Sequence, residues 1–125
     1  MTENEISYEI RGAIFNVYNN LGPGLLESAY EGALGFEFGR RGLFYAKQVP
    51  LAMQYESIQL DICYRLDFLV EDKVIIEIKS VESLLNVHHK QLITYLKLSG
   101  HKLGILVNFN TDDITKSIFR KANGV

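Results

Sequence analysis

Residues 65–79 read RLDFLVEDKVIIEIK, and this stretch decides the fold. Up to Val70, apolar and polar side chains alternate, which is the period of a β-strand with one buried face. From Val74 a second, mostly apolar segment continues to Lys79, and the polar triplet EDK between the two segments is typical of a turn. The pattern predicts two antiparallel strands joined by a three-residue hairpin loop, with Val70 opposite Val74.

The hairpin carries the residues with the clearest chemical potential. Side chains alternate across a strand, so Glu77 and Lys79 share one face of the second strand. In the predicted register Asp67 stands directly opposite Glu77, and two facing carboxylates repel each other unless a cation offsets their charge. These residues alone leave two alternatives open: a slipped register that separates the two acids, and an exposed charge pair at Glu77 and Lys79.

Outward from the hairpin, the hydrophobic period assigns the remaining elements. Apolar residues at helical spacing precede a Gly-Pro-Gly break at residues 22–24, and a second helical stripe follows it. After the hairpin come a helix that ends at Gly100 and the nearly continuous apolar run LGILVNF, which is typical of a strand covered on both faces. The predicted helices span about 6–21, 25–41 and 84–98, and the predicted strands span about 49–55, 58–70, 74–79 and 103–109.

The C-terminal segment and the element order complete the predicted fold. Asp112 or Asp113 is a suitable N-cap for a short last helix that contains Ile114, Ile118 and Phe119. The order helix, helix, three strands, helix, strand, helix combines a meander with a strand–helix–strand step, which is typical of a parallel crossover. We therefore predict an α/β domain with a mixed sheet and helices packed on it.

The composition excludes several classes of protein. The chain has 125 residues, of which 47% are hydrophobic and 22% charged, so it is suited to form one folded domain rather than a disordered segment. A single cysteine, Cys63, excludes an internal disulfide and a cysteine-rich zinc site. The net charge of −2 argues against a broad basic coat for nucleic acid, but not against a nuclease, because metal-binding carboxylates contribute to it. No apolar run is long enough for a membrane span, and the polar start MTENEISYEI lacks the features of a signal peptide, so we expect a cytoplasmic location.

Further candidate residues lie on the helices that flank the strands. Glu27 lies at the start of the second helix, where a carboxylate either ligates a metal or simply interacts with the helix dipole. On the helix after the hairpin, His88, Gln91 and Tyr95 share one face. Each of these three also has an ordinary explanation: a surface histidine, a solvated amide and a core tyrosine.

Taken in order, these residues resemble the motif of the PD-(D/E)XK nuclease superfamily. That motif is an acid on a helix, then Asp67, nine intervening residues, Glu77-x-Lys79, and Gln91-x-x-x-Tyr95. The segment GLLESAY at residues 24–30 further resembles the signature of the bacterial GxxExxY family within it. The similarity extends through QVPL (48–51), RLDFLV (65–70), EIK (77–79), H-x-x-QL (88–92), YL (95–96) and NF (108–109).

The resemblance implies a fold and a site. The fold is a restriction-endonuclease-like αβββαβ core with a mixed four-stranded sheet, an extra N-terminal helix and a short C-terminal helix, in one domain over residues 1–125 with its core at about 24–110. The implied metal ligands are Glu27, Asp67, Glu77 and the backbone carbonyl of Ile78. Lys79 would be the catalytic lysine. The implied accessory site residues are Gln91, Tyr95, His88 and Tyr30.

The chemistry implied by the resemblance is phosphodiester hydrolysis with Mg²⁺ or Mn²⁺, which hard oxygen ligands select. The expected partner is nucleic acid, with DNA as the leading candidate and no membrane. A homodimer or a partner protein is a further expectation, because so small a domain offers little surface to a duplex. The candidate phosphate contacts, with a solvated surface as the alternative, are Arg40, Arg41, Lys47, Lys90, Lys97, Lys116, Arg120 and Lys121.

Two other functions stay open at this point. One is a non-catalytic module that keeps the nuclease fold for binding nucleic acid or protein, because fold alone does not establish activity. The other is a small metal-dependent hydrolase for a different phosphoester.

Overall fold

A computed structural model describes residues 1–123 of the protein as three α-helices, five β-strands and one short 3₁₀ turn. The helices are α1 (Glu3–Leu21), α2 (Glu27–Arg40) and α3 (Asn86–Ser99). The strands are β1 (Tyr45–Tyr55), β2 (Ile58–Val70), β3 (Val74–Lys79), β4 (Leu103–Asn108) and β5 (Ile118–Ala122). They form one mixed sheet in the order β1-β2-β3-β4-β5, in which only β3 and β4 are parallel. The predicted α/β class and restriction-endonuclease-like architecture are confirmed.

Local sequence signals set the ends of α1. Thr2 and Glu5 bond to each other's backbone N–H groups at the N-terminus of the helix, which satisfies donors that have no partner within the helix. The helix ends at Gly22, whose φ of 68° is one that residues with a Cβ rarely adopt. The predicted break at the Gly-Pro-Gly sequence is therefore confirmed.

The sheet separates two apolar cores. Helices α1 and α2 cover one face, where Ile10 and Phe38 pack with Phe68 and Ile78. Helix α3 covers the other face, in a smaller core that includes Leu92. Strand β4 is buried along its whole length because both faces are covered, as the apolar run predicts.

The prediction of a short C-terminal helix and a four-stranded sheet is wrong. Asp113 does act as a cap, through Thr115 N at 3.1 Å, but the turn covers only Ile114–Lys116. The chain then forms β5, which pairs antiparallel with β4 from Val107↔Ile118 onward. Three apolar residues are too few to separate a helical from a strand period, and pairing with β5 satisfies backbone groups that β4 would otherwise leave open at the sheet edge.

Strand β1 is longer than predicted and lies at the opposite edge of the sheet. It begins at Tyr45 rather than Val49, and the Tyr45 ring packs edge-on against Phe38 and Phe68. Pro50 lies on this edge strand, as predicted. Within residues 1–123, no helix has both the length and the apolar character that a membrane crossing requires.

Candidate metal and nuclease site

The β2–β3 hairpin has the register that the sequence predicts. Val70 pairs with Val74, Leu69 with Ile75 and Phe68 with Ile76. Continuation of that register places Asp67 opposite Glu77, so the slipped register is excluded. The two acids reach the face of the sheet that α3 covers, because the alternate residues Ile76 and Ile78 pack into the core on the other face.

After the Phe68↔Ile76 pair, side-chain carboxylates accept the hydrogen bonds that the backbone N–H groups of β2 and β3 donate. Asp67 N donates to Glu77 Oε2 at 2.9 Å, and Ile78 N donates to Asp67 Oδ2 at 2.7 Å. Each acid is thus held by a backbone N–H group of the facing strand. Within residues 1–123, the other oxygen of each carboxylate makes no hydrogen bond, which leaves one oxygen of Asp67 and one of Glu77 available to a cation.

Burial gives these acids unusual proton affinities. Glu77 is only 4% exposed, and its burial, followed by the charge of Asp67, raises its pKa to about 8. Burial also raises the pKa of Asp67, although the hydrogen bond from Ile78 N and the charge of Lys79 oppose the effect. Without a cation, the folded site therefore resists carrying both negative charges at neutral pH.

Lys79 lies on the same face of β3 as Glu77 and ends that strand. It is half-buried, and its positive charge lowers the pKa of both Asp67 and Glu77. The structure therefore brings Asp67, Glu77 and Lys79 together. The exposed charge pair considered from the sequence does not describe Glu77, which is buried.

Glu27 is the first residue of α2 and lies at the rim of this cluster. It is exposed, and its Oε1 accepts a hydrogen bond from Ser80 N at 3.3 Å, directly after β3. The Ser80 hydroxyl donates to Leu25 O at 2.6 Å, which joins the end of β3 to the turn before α2. The charge of Glu27 raises the pKa of Asp67 and Glu77, so it acts on the pair electrostatically.

Tyr30 supports the turn that precedes Glu27. Its hydroxyl donates to Gly22 O at 2.6 Å and accepts from Leu25 N at 3.2 Å. Its ring is fully buried and stacks on Phe109 at a centroid distance of 4.3 Å. These contacts fix the position of the α2 N-terminus, and Tyr30 affects the site through that position.

On α3, Tyr95 lies close enough to the acids to be affected by their charges, whereas His88 caps the helix. Burial and the charges of Glu77 and Asp67 raise the pKa of Tyr95 to about 12, so its hydroxyl is a neutral hydrogen-bond donor. Gln91 interacts with that hydroxyl, and the Tyr95 ring lies 5.5 Å from the ring of Tyr64 on β2. His88 Nδ1 instead accepts a hydrogen bond from Leu85 N at 3.0 Å.

Comparison with known proteins agrees with this geometry. A family model of the PD-(D/E)XK nuclease superfamily matches residues 4–121. This chain belongs to the PD-(D/E)XK nuclease superfamily. No curated protein and no solved structure matches it. The match places the chain among families built on a nuclease fold, and the hairpin acids with Lys79 are the part of the superfamily motif that the structure brings together.

The carboxylates of Asp67 and Glu77 suit a hard cation, but no third acid is grouped with them in the described residues. Within residues 1–123, no three side chains of His, Cys, Asp or Glu are grouped so that they could hold a metal ion. Asp67 and Glu77 nevertheless supply hard oxygen donors, and a divalent cation would offset the repulsion between their charges. The donor set thus fits Mg²⁺ or Mn²⁺ bound by two carboxylates, with water completing the coordination.

The structure adds two residues to which the sequence assigned no role in the site. Glu31 lies one turn after Glu27 on α2, and its charge raises the pKa of Asp67. Gln48 on β1 donates to both carboxylate oxygens of Glu31, at 3.2 and 3.3 Å. The segment QVPL contributed to the family resemblance, but the contact between Gln48 and α2 depends on tertiary structure.

Three of the candidate phosphate contacts are bound to neighbouring side chains. Arg40 bonds to the buried Glu37, Arg41 bonds to Glu9, and Arg120 bonds to Asn4. Arg41 and Arg120 thereby join the end of α2 and strand β5 to α1, whereas the Arg40 contact lies within α2. Contact between the candidate lysines and phosphate remains a prediction.

Proposed function

We propose that this chain is a metal-dependent nuclease that hydrolyses the phosphodiester bonds of DNA, and that it belongs to the GxxExxY branch of the superfamily. The observation that carries the proposal is the pairing of Asp67 with Glu77 beside Lys79. Each acid is fixed by a backbone N–H group of the facing strand, and its second oxygen makes no hydrogen bond within residues 1–123. A cytoplasmic location is part of this proposal.

Asp67 and Glu77 are the proposed ligands of Mg²⁺ or Mn²⁺, together with the Ile78 carbonyl, and Glu27 completes the set from the rim. When bound, such a metal offsets phosphate charge and supplies a water of lowered pKa as the nucleophile. Glu27 Oε1 already accepts a hydrogen bond from Ser80 N, one residue after Lys79, and the charge of Glu27 acts on both acids.

Lys79 and Tyr95 are the proposed groups that act on the phosphate. The Lys79 ammonium orients the attacking water and stabilises the negative charge that develops on the phosphoryl oxygens. Tyr95 keeps its proton because its pKa is raised to about 12, so it can donate a hydrogen bond to a phosphate oxygen. Gln91, one turn before Tyr95 on α3, is the proposed accessory residue beside it.

A non-catalytic nuclease-fold module is the alternative, and one observation favours it. Glu27 is bound to Ser80 N, so the three acids do not form a ready metal site within residues 1–123. A module that only binds nucleic acid or protein has no need for Lys79. Loss of cleavage on replacement of that lysine therefore separates the two functions.

The test is cleavage of single-stranded DNA, double-stranded DNA and RNA by purified protein, with Mg²⁺, with Mn²⁺ and with a chelator. Asp67→Asn and Lys79→Ala are the test variants. Asp61→Asn and Lys102→Ala are matched controls, because they remove the same charges at exposed positions away from the site. We expect metal-dependent cleavage that falls by at least about a hundredfold in both test variants and in neither control. Equal cleavage by Lys79→Ala and the wild type, or no cleavage of any substrate, would favour the binding module.

A further inference from the structure

A cavity of about 640 Å³ lies at the carboxyl ends of β3 and β4. One wall is the loop that follows Lys79, through Glu82, Ser83 and Leu84, and the other wall is the segment after β4, through residues 110–112. The volume is typical of ligand sites in proteins, and in open α/β sheets ligands commonly bind beyond the carboxyl ends of the strands. The cavity is therefore large enough to accept a base together with its sugar.

A buried asparagine holds the two walls together. Asn108 Oδ1 accepts hydrogen bonds from Val81 N at 3.0 Å and from Asn110 N at 3.3 Å, and Asn108 Nδ2 donates to Val81 O at 2.9 Å. Asn108 is only 5% exposed, and a buried amide is costly unless its polar groups are bonded in this way. These bonds fix both walls, so the cavity is already formed in the free protein.

The cavity and the hairpin acids lie on the same face of the sheet. Lys79 and Asn108 are partners in the parallel β3–β4 pair, so their side chains share a face and their backbones are about 5 Å apart. Glu77 pairs in the same way with Leu106, which packs in the core under α3. A nucleic-acid strand with a phosphate at Lys79 therefore has its next nucleotide within reach of the cavity.

The charge of the lining selects against an anionic ligand. Within the part of the chain that the structure describes, the cavity is lined by two carboxylates, Glu82 and Asp112, and by no lysine or arginine. A phosphate group would meet like charge here, whereas N–H groups would find acceptors. The lining thus favours an occupant that is uncharged or cationic and that donates hydrogen bonds.

Two rings line the cavity on the side of β5. His89 and Phe119 meet edge to face at a centroid distance of 4.8 Å, and both are half-buried. His89 Nδ1 is buried and has no hydrogen-bond partner within residues 1–123, so the described protein does not satisfy this nitrogen. Aromatic surface beside hydrogen-bonding groups is the combination that binds an unpaired base.

We propose that this cavity binds a base of the strand that is cut, in the nucleotide next to the scissile phosphate. The rings of His89 and Phe119 contact the base, and Glu82 and Asp112 accept hydrogen bonds from its exocyclic amino group. Carboxylates pair in this way with the amino group of cytosine, whereas thymine has none. A base bound by this edge cannot also be paired, so the substrate is single-stranded DNA or an unpaired nucleotide within a duplex. The inference rests on the proposed function, because it requires a phosphate at Lys79.

The test is the binding of short fluorescent oligomers, measured by fluorescence anisotropy. The probes are oligomers of deoxycytidine, of thymidine and of abasic sugar-phosphate units. Binding is measured in chelator and with Ca²⁺, which oxygen ligands also bind, and the probes are checked for cleavage on a gel. Ser83→Trp fills the cavity from an exposed position, and Ser57→Trp, at the exposed turn between β1 and β2, is the matched control.

We expect the wild type to bind the deoxycytidine oligomer at least about fivefold more tightly than the thymidine oligomer, and the abasic oligomer most weakly. Ser83→Trp should bind all three with the affinity that the wild type has for the abasic oligomer, and its thermal midpoint should be unchanged. The salt dependence of the dissociation constant should stay the same, because no phosphate contact is removed. Ser57→Trp should follow the wild type.

Three results would overturn the inference. Equal affinity of the wild type for deoxycytidine and abasic oligomers would show that the cavity takes no base and would favour a cationic side chain of a partner protein. An equal loss for all three probes in Ser83→Trp would show that the tryptophan obstructs the sugar-phosphate backbone instead. Both results leave the proposed nuclease standing. Absence of binding to every probe, with and without Ca²⁺, would overturn the proposed function as well and is thereby distinguished from the first two.

Discussion

Replacement of Glu77 by glutamine tests the electrostatics of the site in the folded, metal-free protein. The pKa of Glu77 rises from its ordinary value of 4.5 to about 8, chiefly because the side chain is buried. Between these pH values the folded protein keeps a proton that the unfolded chain releases. The stability of the wild type should therefore fall as pH rises through this window.

The size of the effect follows from the width of the window. Roughly 3.5 pH units at about 1.4 kcal/mol per unit correspond to about 5 kcal/mol as an upper value. Glutamine keeps an oxygen that can accept the hydrogen bond from Asp67 N, but it has no proton to lose. Glu77→Gln should therefore match the wild type near pH 4.5 and be more stable by several kcal/mol at pH 8 and above.

The assay is urea unfolding of both proteins in chelator at several pH values from 4.5 to 9, followed by circular dichroism. Glu82→Gln, which removes an exposed carboxylate, is the matched control and should follow the wild type. Addition of Mn²⁺ at pH 8 should stabilise the wild type and not Glu77→Gln, because only the native site binds the cation. Parallel stability curves for the wild type and Glu77→Gln across the whole range would refute the reasoning, since they would show that Glu77 ionises as it does in the unfolded chain.

Two further replacements test the packing that supports the site. Tyr30→Phe leaves Gly22 O without the hydrogen bond from the tyrosine hydroxyl. We expect this variant to lower the free energy of unfolding by about 1–3 kcal/mol in the same urea assay. An unchanged urea midpoint would mean that water satisfies the Gly22 carbonyl equally well. Gly104→Ala places a methyl group 2.7 Å from Leu92 Cδ1 and should cost about 1–3 kcal/mol, whereas Gly32→Ala, with open space around it on α2, should be neutral or stabilising. Equal midpoints for the two alanine variants would contradict the close approach of α3 to β4.

Much of the fold is encoded in local patterns. The capping residues of α1, the glycine break after it and the alternation in β2 each act over a few residues. The loop of the β2–β3 hairpin is short enough to set the strand register. That register alone places Asp67 opposite Glu77, and strand alternation places Lys79 on the same face, so these three residues could be predicted from the sequence.

The prediction failed where an element is defined by a distant neighbour. Residues 118–122 have too little periodicity to choose between helix and strand, and the open edge of β4 decides in favour of a strand. The resemblance implied His88 as an accessory site residue, and the structure shows that it lies in the first turn of α3, where its Nδ1 accepts a hydrogen bond from Leu85 N. Helical spacing predicts which side chains share a face, but it does not predict which of them cap the end of the helix with a hydrogen bond.

The sequence by itself therefore determined the α/β class, the acid pair and the lysine, because all of them follow from periodicity and from one short turn. Only the tertiary structure decided where Glu27 and Glu31 lie relative to that pair. Glu27 bonds to Ser80 N at the end of β3 and Glu31 bonds to Gln48 on β1, so their placement depends on how α2 packs on the sheet. Such contacts join parts of the chain that are far apart in sequence, and their geometry is set by side-chain packing between elements, which no local pattern encodes.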